Sequence, residues 1–218
     1  MASGKTTTAN YLLNEIPNSK KLTLAQPVYD LVNNIGKKSV KELLAEYIFP
    51  YYDPRDDIEK AMGMNIPEEY YLAWGKIIEE TLLIPEEMPK PRKRLQFLGT
   101  DGARKRLDDN IWIKIAINKA TQDPETNWII DDCRFHNEYL WFTRARWQPV
   151  YLFITKDIQK RRLETLYGQV DPDILTHQSE TDMNKICVPT ECIINSNQLL
   201  SDMFKDVKEF IWTKSNFS

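Results

Sequence analysis

The run Met1-Ala2-Ser3-Gly4-Lys5-Thr6-Thr7-Thr8 carries the most specific chemistry in this chain. It reads as the second half of G-x-x-x-x-G-K-[ST], a loop whose backbone amides cradle phosphates where a helix begins. Gly4, Lys5 and Thr6, running into Ala9-Asn10-Tyr11-Leu12-Leu13, supply those amides, a lysine for the β and γ phosphates, and a hydroxyl for Mg²⁺. A Gly-Lys-Thr triplet also arises by chance, and its plain alternative is a helix cap. What favours nucleotide binding is its place at the head of an amphipathic helix, with a strand ending in acids further on.

That strand is Asn127-Trp128-Ile129-Ile130-Asp131-Asp132, apolar and then acidic, the form of a buried parallel strand that delivers carboxylates to its C-terminal edge. An acid there can hold the water shell of Mg²⁺ opposite the Thr6 hydroxyl; for Asp131, capping the next helix is an equal alternative. Arg134 leaves the same strand end and could clamp a transferring phosphoryl group or a substrate phosphate with bidentate geometry. Lys90-Pro91-Arg92-Lys93-Arg94-Leu95-Gln96 is locally basic, with Arg104 further along. Alone, such a run is most often a solvated face. Arg161 and Arg162 precede Leu163 to Met183, a loop-like stretch holding Gly168, Pro172 and His177-Gln178-Ser179-Glu180. A lid closing over a nucleotide needs basic residues at its base and polar ones within it.

Positioning these groups calls for strands alternating with helices. Lys21 to Ala25, Asn127 to Asp132, Val150 to Ile154 and Cys192 to Ile194 read as short strands. Val28 to Ile35, Leu95 to Arg106, Ile111 to Ala120 and Leu199 to Trp212 read as helices. The fold class expected is α/β: a doubly wound parallel sheet with helices on both faces. From Lys37 to about Arg94 the pattern is helical but broken by prolines and rich in tyrosine, as expected of an inserted helical region beside a substrate cleft. Its joints from Pro85 to Pro91 are candidate hinges. We expect a single domain over residues 1–218, with the insertion near 37–94 and a short lid near 163–183.

Composition sets the limits. The 218 residues, 42% hydrophobic, can bury one sizeable core, and a net charge of −3 gives no general pull toward nucleic acid. Cys133, Cys187 and Cys192 are odd in number and lack C-x-x-C spacing, while His136 and His177 stand alone. Disulfides and structural zinc are therefore not expected, and a reducing compartment fits. No apolar run approaches the ~18 residues of a membrane span, and no leader precedes the loop, so a cytoplasmic protein is expected.

In order and spacing, several motifs taken together are more specific than any one. They are Ser3-Gly4-Lys5-Thr6-Thr7, Pro91-Arg92-Lys93-Arg94-Leu95-Gln96-Phe97-Leu98-Gly99-Thr100, Arg104, Asn110-Ile111-Trp112, Asp132-Cys133-Arg134-Phe135-His136-Asn137-Glu138, and His177-Gln178-Ser179-Glu180. From residue 1 to about residue 212 the chain resembles the deoxynucleoside monophosphate kinases of bacteriophages, a branch of the P-loop nucleoside monophosphate kinase fold. The resemblance implies transfer of the γ-phosphoryl of ATP to a deoxynucleoside 5′-monophosphate with Mg²⁺, in the host cytoplasm. It implies that Ser3, Gly4, Lys5, Thr6 and Thr7 hold the ATP phosphates, that Thr6 and Asp132 serve the metal, and that Asn195 meets the adenine. Arg92, Arg104 and Arg134 would face the acceptor phosphate, Arg161 and Arg162 the transferring group, and Gln96 and Trp112 the acceptor base. Lys5, Arg134, Arg161 and Arg162 are then the catalytic set.

The family's loop is complete where this sequence carries its second half, and His136 stands where the family has proline. A P-loop is usually fed by the central strand of its sheet. About six such residues, at roughly 1.5 to 3 kcal/mol for each large buried side chain, contribute on the order of 10 kcal/mol. Met1 is accordingly read as an internal methionine; a misplaced start, a truncated sequence and a short natural form remain the alternatives. A kinase for another small phosphorylated acceptor, and a nucleotide-binding relative without turnover, stay open as rival functions. So do the bases accepted and the oligomeric state, homodimer included.

Overall fold

The computed structural model describes residues 2–86, 90–168 and 187–215. They fall into two compact units: Met1–Leu22 with Glu125–Ser218, and Thr23–Pro124. The stretch 37–94 lies within the second.

In the first unit the loop leads into α1 (Lys5–Glu15) and then β1 (Ser19–Lys21). After the chain returns come β2 (Asn127–Ile129), α8 (His136–Arg144), β3 (Tyr151–Phe153), α9 (Lys156–Tyr167), β4 (Ile193–Asn195) and a closing helix, α10 (Leu200–Ser215). β1 pairs with β2 in parallel, Lys20 opposite Trp128; β3 pairs with β4 in parallel, Leu152 opposite Ile194. Leu12, Cys192, Ile194, Met203, Val207 and Phe210 form the buried cluster, with Ile129 and Leu152 packed against it. Residues from β2, β3 and β4 thus share one apolar core with α1 and α10. Tyr11 stacks on Phe204 at 4.1 Å between ring centroids, locking α1 to α10.

The single doubly wound sheet expected from the sequence is not formed among the described residues; two separate two-stranded parallel sheets stand in its place. Joining them takes a further strand along one edge of each pair, and the described residues hold none. β1 also begins earlier than expected. Its register ends at Lys21, and Leu22 N–H closes the ladder on the Ile129 carbonyl at 2.9 Å. Leu22 and Leu24, which suggest a strand by their alternation, are buried where the chain has already begun to turn.

The second unit is helical: α2 (Gln26–Asn34), α3 (Val40–Tyr47), α4 (Asp57–Ala61), α5 (Glu68–Leu83), α6 (Arg92–Gln96), a π-helix over Phe97–Arg104, and α7 (Ile111–Thr121). Local sequence dictates the starts. Ser39 and Glu42 cap α3 reciprocally, as Asp56 and Glu59 cap α4, and Pro27 lies in the first turn of α2. Leu31, Leu43, Leu44, Ile48, Trp74, Ile77, Leu98 and Ile111 are fully or almost fully buried in its core. The helix expected over 95–106 is here a short α-helix followed by the π-helix. Gly99 and Gly102 permit this. A Cβ on Gly99 would come within 3.3 Å of Val28, and one on Gly102 within 2.5 Å of Ile77, so α2 and α5 approach closer than a side chain would allow. Glu87, Met88 and Pro89 of the hinge candidate, and the lid beyond Gly168 with His177 to Glu180, lie outside the described residues.

Candidate functional site

The candidate phosphate-loop residues sit in the first unit. Ala2 and Gly4 both have positive φ, 54° and 88°, so the chain winds through left-handed conformations before α1 begins. Gly4 is the N-cap residue of α1. It offers no capping side chain, and the first turn of α1 holds no acid. The first amides of a helix have no acceptor within it and carry the positive end of its dipole, and nothing in the first turn of α1 opposes that polarity. Lys5 Nζ donates to Ser3 Oγ at 3.2 Å, which keeps the ammonium over the loop. Thr6 and Thr7 are exposed on the first turn.

Behind the loop lies a residue that sequence reasoning missed. Ser196, fully buried, follows β4 directly. Its N–H donates to the Phe153 carbonyl at 2.7 Å, and its hydroxyl to the Ser3 carbonyl at 2.8 Å. Arg162 Nη2 donates to the Ser196 carbonyl at 2.7 Å, and Nη1 to the Ser196 hydroxyl at 3.1 Å and the Ala2 carbonyl at 3.5 Å. Arg162 is therefore brought against the loop, while its neighbour Arg161 lies exposed on α9. Asn195, expected at the adenine, is exposed at the end of β4, and its side-chain oxygen accepts from Asn197.

Of the two acids after β2, Asp131 neither caps a helix nor faces open solvent. Its carboxylate pairs with Lys21 Nζ at 2.7 Å and is 6% exposed. Asp132 and Arg134 are half-buried on the segment leading to α8. Glu138, on the first turn of α8 and 4% exposed, accepts from the amides of Arg134 at 2.7 Å and Phe135 at 3.0 Å. It fixes the segment that carries Asp132 and Arg134. Its sequence signal, an acid three residues after the helix-capping position, was available.

Of the residues expected on the acceptor side, Arg92, Gln96, Arg104 and Trp112 fall in the second unit and Arg134 in the first. Arg92 opens α6 and Gln96 ends it, both half-buried. The π-helix turns Arg104 inward to 5% exposure, with Nε on the Asp109 carboxylate at 3.0 Å. Trp112 is a core residue: 5% exposed, its indole N–H on the Gly99 carbonyl at 2.9 Å and its ring edge-on to Trp74. Asp108 accepts from Tyr52 Oη at 3.1 Å, Lys114 Nζ at 2.7 Å and the Asn110 amide at 2.8 Å. Burial alone would raise its pKa, but the Lys114 ammonium and these donors outweigh it and hold the carboxyl below its usual range. Burial likewise pushes the Tyr52 phenol up.

As for a metal, the described residues hold no cluster of three or more His, Cys, Asp or Glu in position to bind one. The hydroxyl of Thr6 and the carboxylate of Asp132 are hard oxygen donors of the kind Mg²⁺ takes, and Mg²⁺ on a nucleotide draws most of its shell from phosphates and water. The residues present fit that ion. Among the described residues no helix is long and apolar enough to cross a membrane.

No family model matches the chain. Over 165 residues it is 26% identical to a protein named deoxynucleoside-5′-monophosphate kinase from Escherichia phage T5, a match that covers 62% of this chain and 66% of the relative. The chain thus spans just under two thirds of that relative's length. The likeness supports a nucleotide-kinase function at the level of the family, and the helix-rich α/β structure with short parallel sheets is compatible with a P-loop kinase.

Proposed function

We propose that this chain is a nucleotide kinase that moves the γ-phosphoryl of ATP to a deoxynucleoside 5′-monophosphate, giving the diphosphate and ADP, in the cytoplasm of a phage-infected host. The observation that carries the reading is the uncapped, acid-free N-terminus of α1, entered through left-handed Gly4 and overhung by Lys5. The name of the phage T5 relative supplies the acceptor class. The architecture that goes with it is a doubly wound P-loop sheet in one kinase domain, with residues of about 37–94 as the helical substrate-binding insertion.

An oxygen of the acceptor monophosphate attacks the γ-phosphorus, and the bond from that phosphorus to the β,γ-bridging oxygen breaks. ADP leaves with the electron pair. The attacking oxygen is already ionised at neutral pH, so no general base is needed, and catalysis is positioning and charge stabilisation. Ser3, Gly4, Lys5, Thr6 and Thr7 would hold the ATP phosphates and Asn195 the adenine. Arg92, Arg104 and Arg134 would hold the acceptor phosphate, with Gln96 and Trp112 on the base side. Arg134 and Arg161 would stabilise the transferring group; Arg162, expected there as well, is engaged by Ser196 and the Ala2 carbonyl. Thr6 and Asp132 would hold Mg²⁺, which would supply neutralisation of phosphate charge.

The test is ADP release from Mg-ATP with each deoxynucleoside monophosphate offered in turn. Acceptor-dependent turnover that disappears in Lys5→Ala is the expected result. A folded Lys5→Ala protein that turns over at the wild-type rate would sink the site assignment. The two separate half-sheets favour a second reading, nucleotide binding without transfer. Tight ATP binding with no transfer to any acceptor selects it.

A further inference from the structure

Amides can face an anion only if the carbonyls of the same loop are turned away and held there, because a carbonyl oxygen beside a phosphate repels it. In this chain the carbonyls of Ala2 and Ser3 are held by a pair, the buried Ser196 and the half-buried Arg162. The Ser196 hydroxyl donates to Ser3, and Arg162 Nη1 reaches Ala2. Ala2 needs such a hold. A φ of 54° in a residue with a Cβ costs about 1 to 2 kcal/mol and persists where surrounding contacts over-determine it. The same hydroxyl lies 3.5 Å from where a Cβ on Gly4 would stand, so Ser196 backs the left-handed Gly4 while Arg162 holds Ala2. Ser196 is itself fixed, fully buried and tied by its N–H to β3 and by its carbonyl to Arg162.

We propose that Ser196 is the positioning residue of the phosphate loop, and that Arg162 acts through Ser196 and the Ala2 carbonyl rather than on a transferring phosphoryl group. This rests on the reading that the loop holds nucleotide phosphates. It divides the labour of α9 between neighbours: Arg162 braces the loop, and Arg161, exposed beside it, is the arginine that reaches ligand. It also links the two ends of the nucleotide. Ser196 directly follows Asn195, so a base held at the end of β4 and phosphates held at α1 share one rigid residue.

The experiment is calorimetric titration of the whole chain with Mg-ATP, alongside steady-state turnover, for Ser196→Ala, Arg162→Ala and the double variant. Each single variant is expected to weaken Mg-ATP binding about five- to tenfold, with the double no weaker than the worse single. In turnover the KM for ATP rises by a similar factor, while kcat at saturating ATP stays near wild type. A fall in kcat of about a hundredfold in Arg162→Ala, with KM unchanged, would assign Arg162 to the transferring group and overturn the proposal. Unchanged Mg-ATP affinity in folded Ser196→Ala overturns it as well. If Ser196→Ala does not fold, Arg162→Lys carries the same expectation, since lysine keeps the charge but loses the forked contact. A folded wild-type chain that binds no Mg-ATP refutes the nucleotide reading and this role with it; binding in wild type that Ser196→Ala matches refutes the role alone.

Discussion

Glu138 commits a buried carboxylate to the amides of Arg134 and Phe135, so one side chain sets the path of the segment carrying two of the expected site residues. Removing it in Glu138→Ala strands both amides, a loss of about 1 to 3 kcal/mol, which a denaturant midpoint will report. Glu138→Gln, whose amide oxygen still accepts, should lose less than half as much. Asp108 makes the corresponding case in pH. Its folded pKa is depressed, so its contribution is present above the unfolded value near ~4 and is lost as pH falls through the folded value. Asp108→Asn should therefore be least stable relative to wild type at neutral pH, with the gap narrowing on acidification below about pH 4. Unfolding midpoints collected from pH 3 to 7 check this, and a gap that widens toward acid contradicts it. Gly4, Lys5 and Thr6 were legible as candidates because their motif is contiguous in sequence. Ser196 was not, because its role exists only once residues distant in sequence are folded against it.

Among the elements, the π-helix over Phe97–Arg104 is where sequence periodicity and structure part. Apolar spacing marks a helix over 95–106, but it cannot distinguish hydrogen-bond registers that differ by one residue, and a wide turn is set by what packs against it. Here that is α5 at Gly102 and α2 at Gly99. Gly102→Ala places a Cβ 2.5 Å from Ile77 Cγ2 and 3.3 Å from the Phe97 carbonyl oxygen, so both a core side chain and the helix backbone must shift. We expect a cost of about 1 to 3 kcal/mol, read as a lower thermal midpoint. Gly99→Ala meets only Val28 methyls at 3.3 and 3.4 Å and should cost less. Equal losses would mean that helix propensity rather than close packing governs this turn. The later two strands were legible as apolar runs to within a residue at each edge, β2 ends three residues short of its run, and β1 shares only Lys21 with the expected strand.

At the scale of the molecule, β2, β3 and β4 could be read from their own residues, but β1 could not, and neither could which strand pairs with which. Pairing is non-local, and the described residues make two parallel pairs where one sheet was expected. The candidate site residues divide along the same lines as the fold. The phosphate loop, Asp132, Arg134, Arg161, Arg162 and Asn195 belong to Met1–Leu22 and Glu125–Ser218; Arg92, Gln96, Arg104 and Trp112 belong to Thr23–Pro124. If the first unit binds ATP and the second contributes acceptor contacts, substitutions should separate the two affinities. Arg104 is a poor probe, since its 5%-exposed side chain is ion-paired and its loss would disturb the core. Arg92, half-buried at the start of α6, is the cleaner one. Arg92→Ala should raise the KM for the acceptor monophosphate about ten- to a hundredfold, the worth of one charge-assisted contact, and leave Mg-ATP affinity unchanged. Lys5→Ala should abolish transfer while the thermal midpoint stays close to wild type. Arg92→Ala weakening ATP and acceptor alike would refute this division of labour.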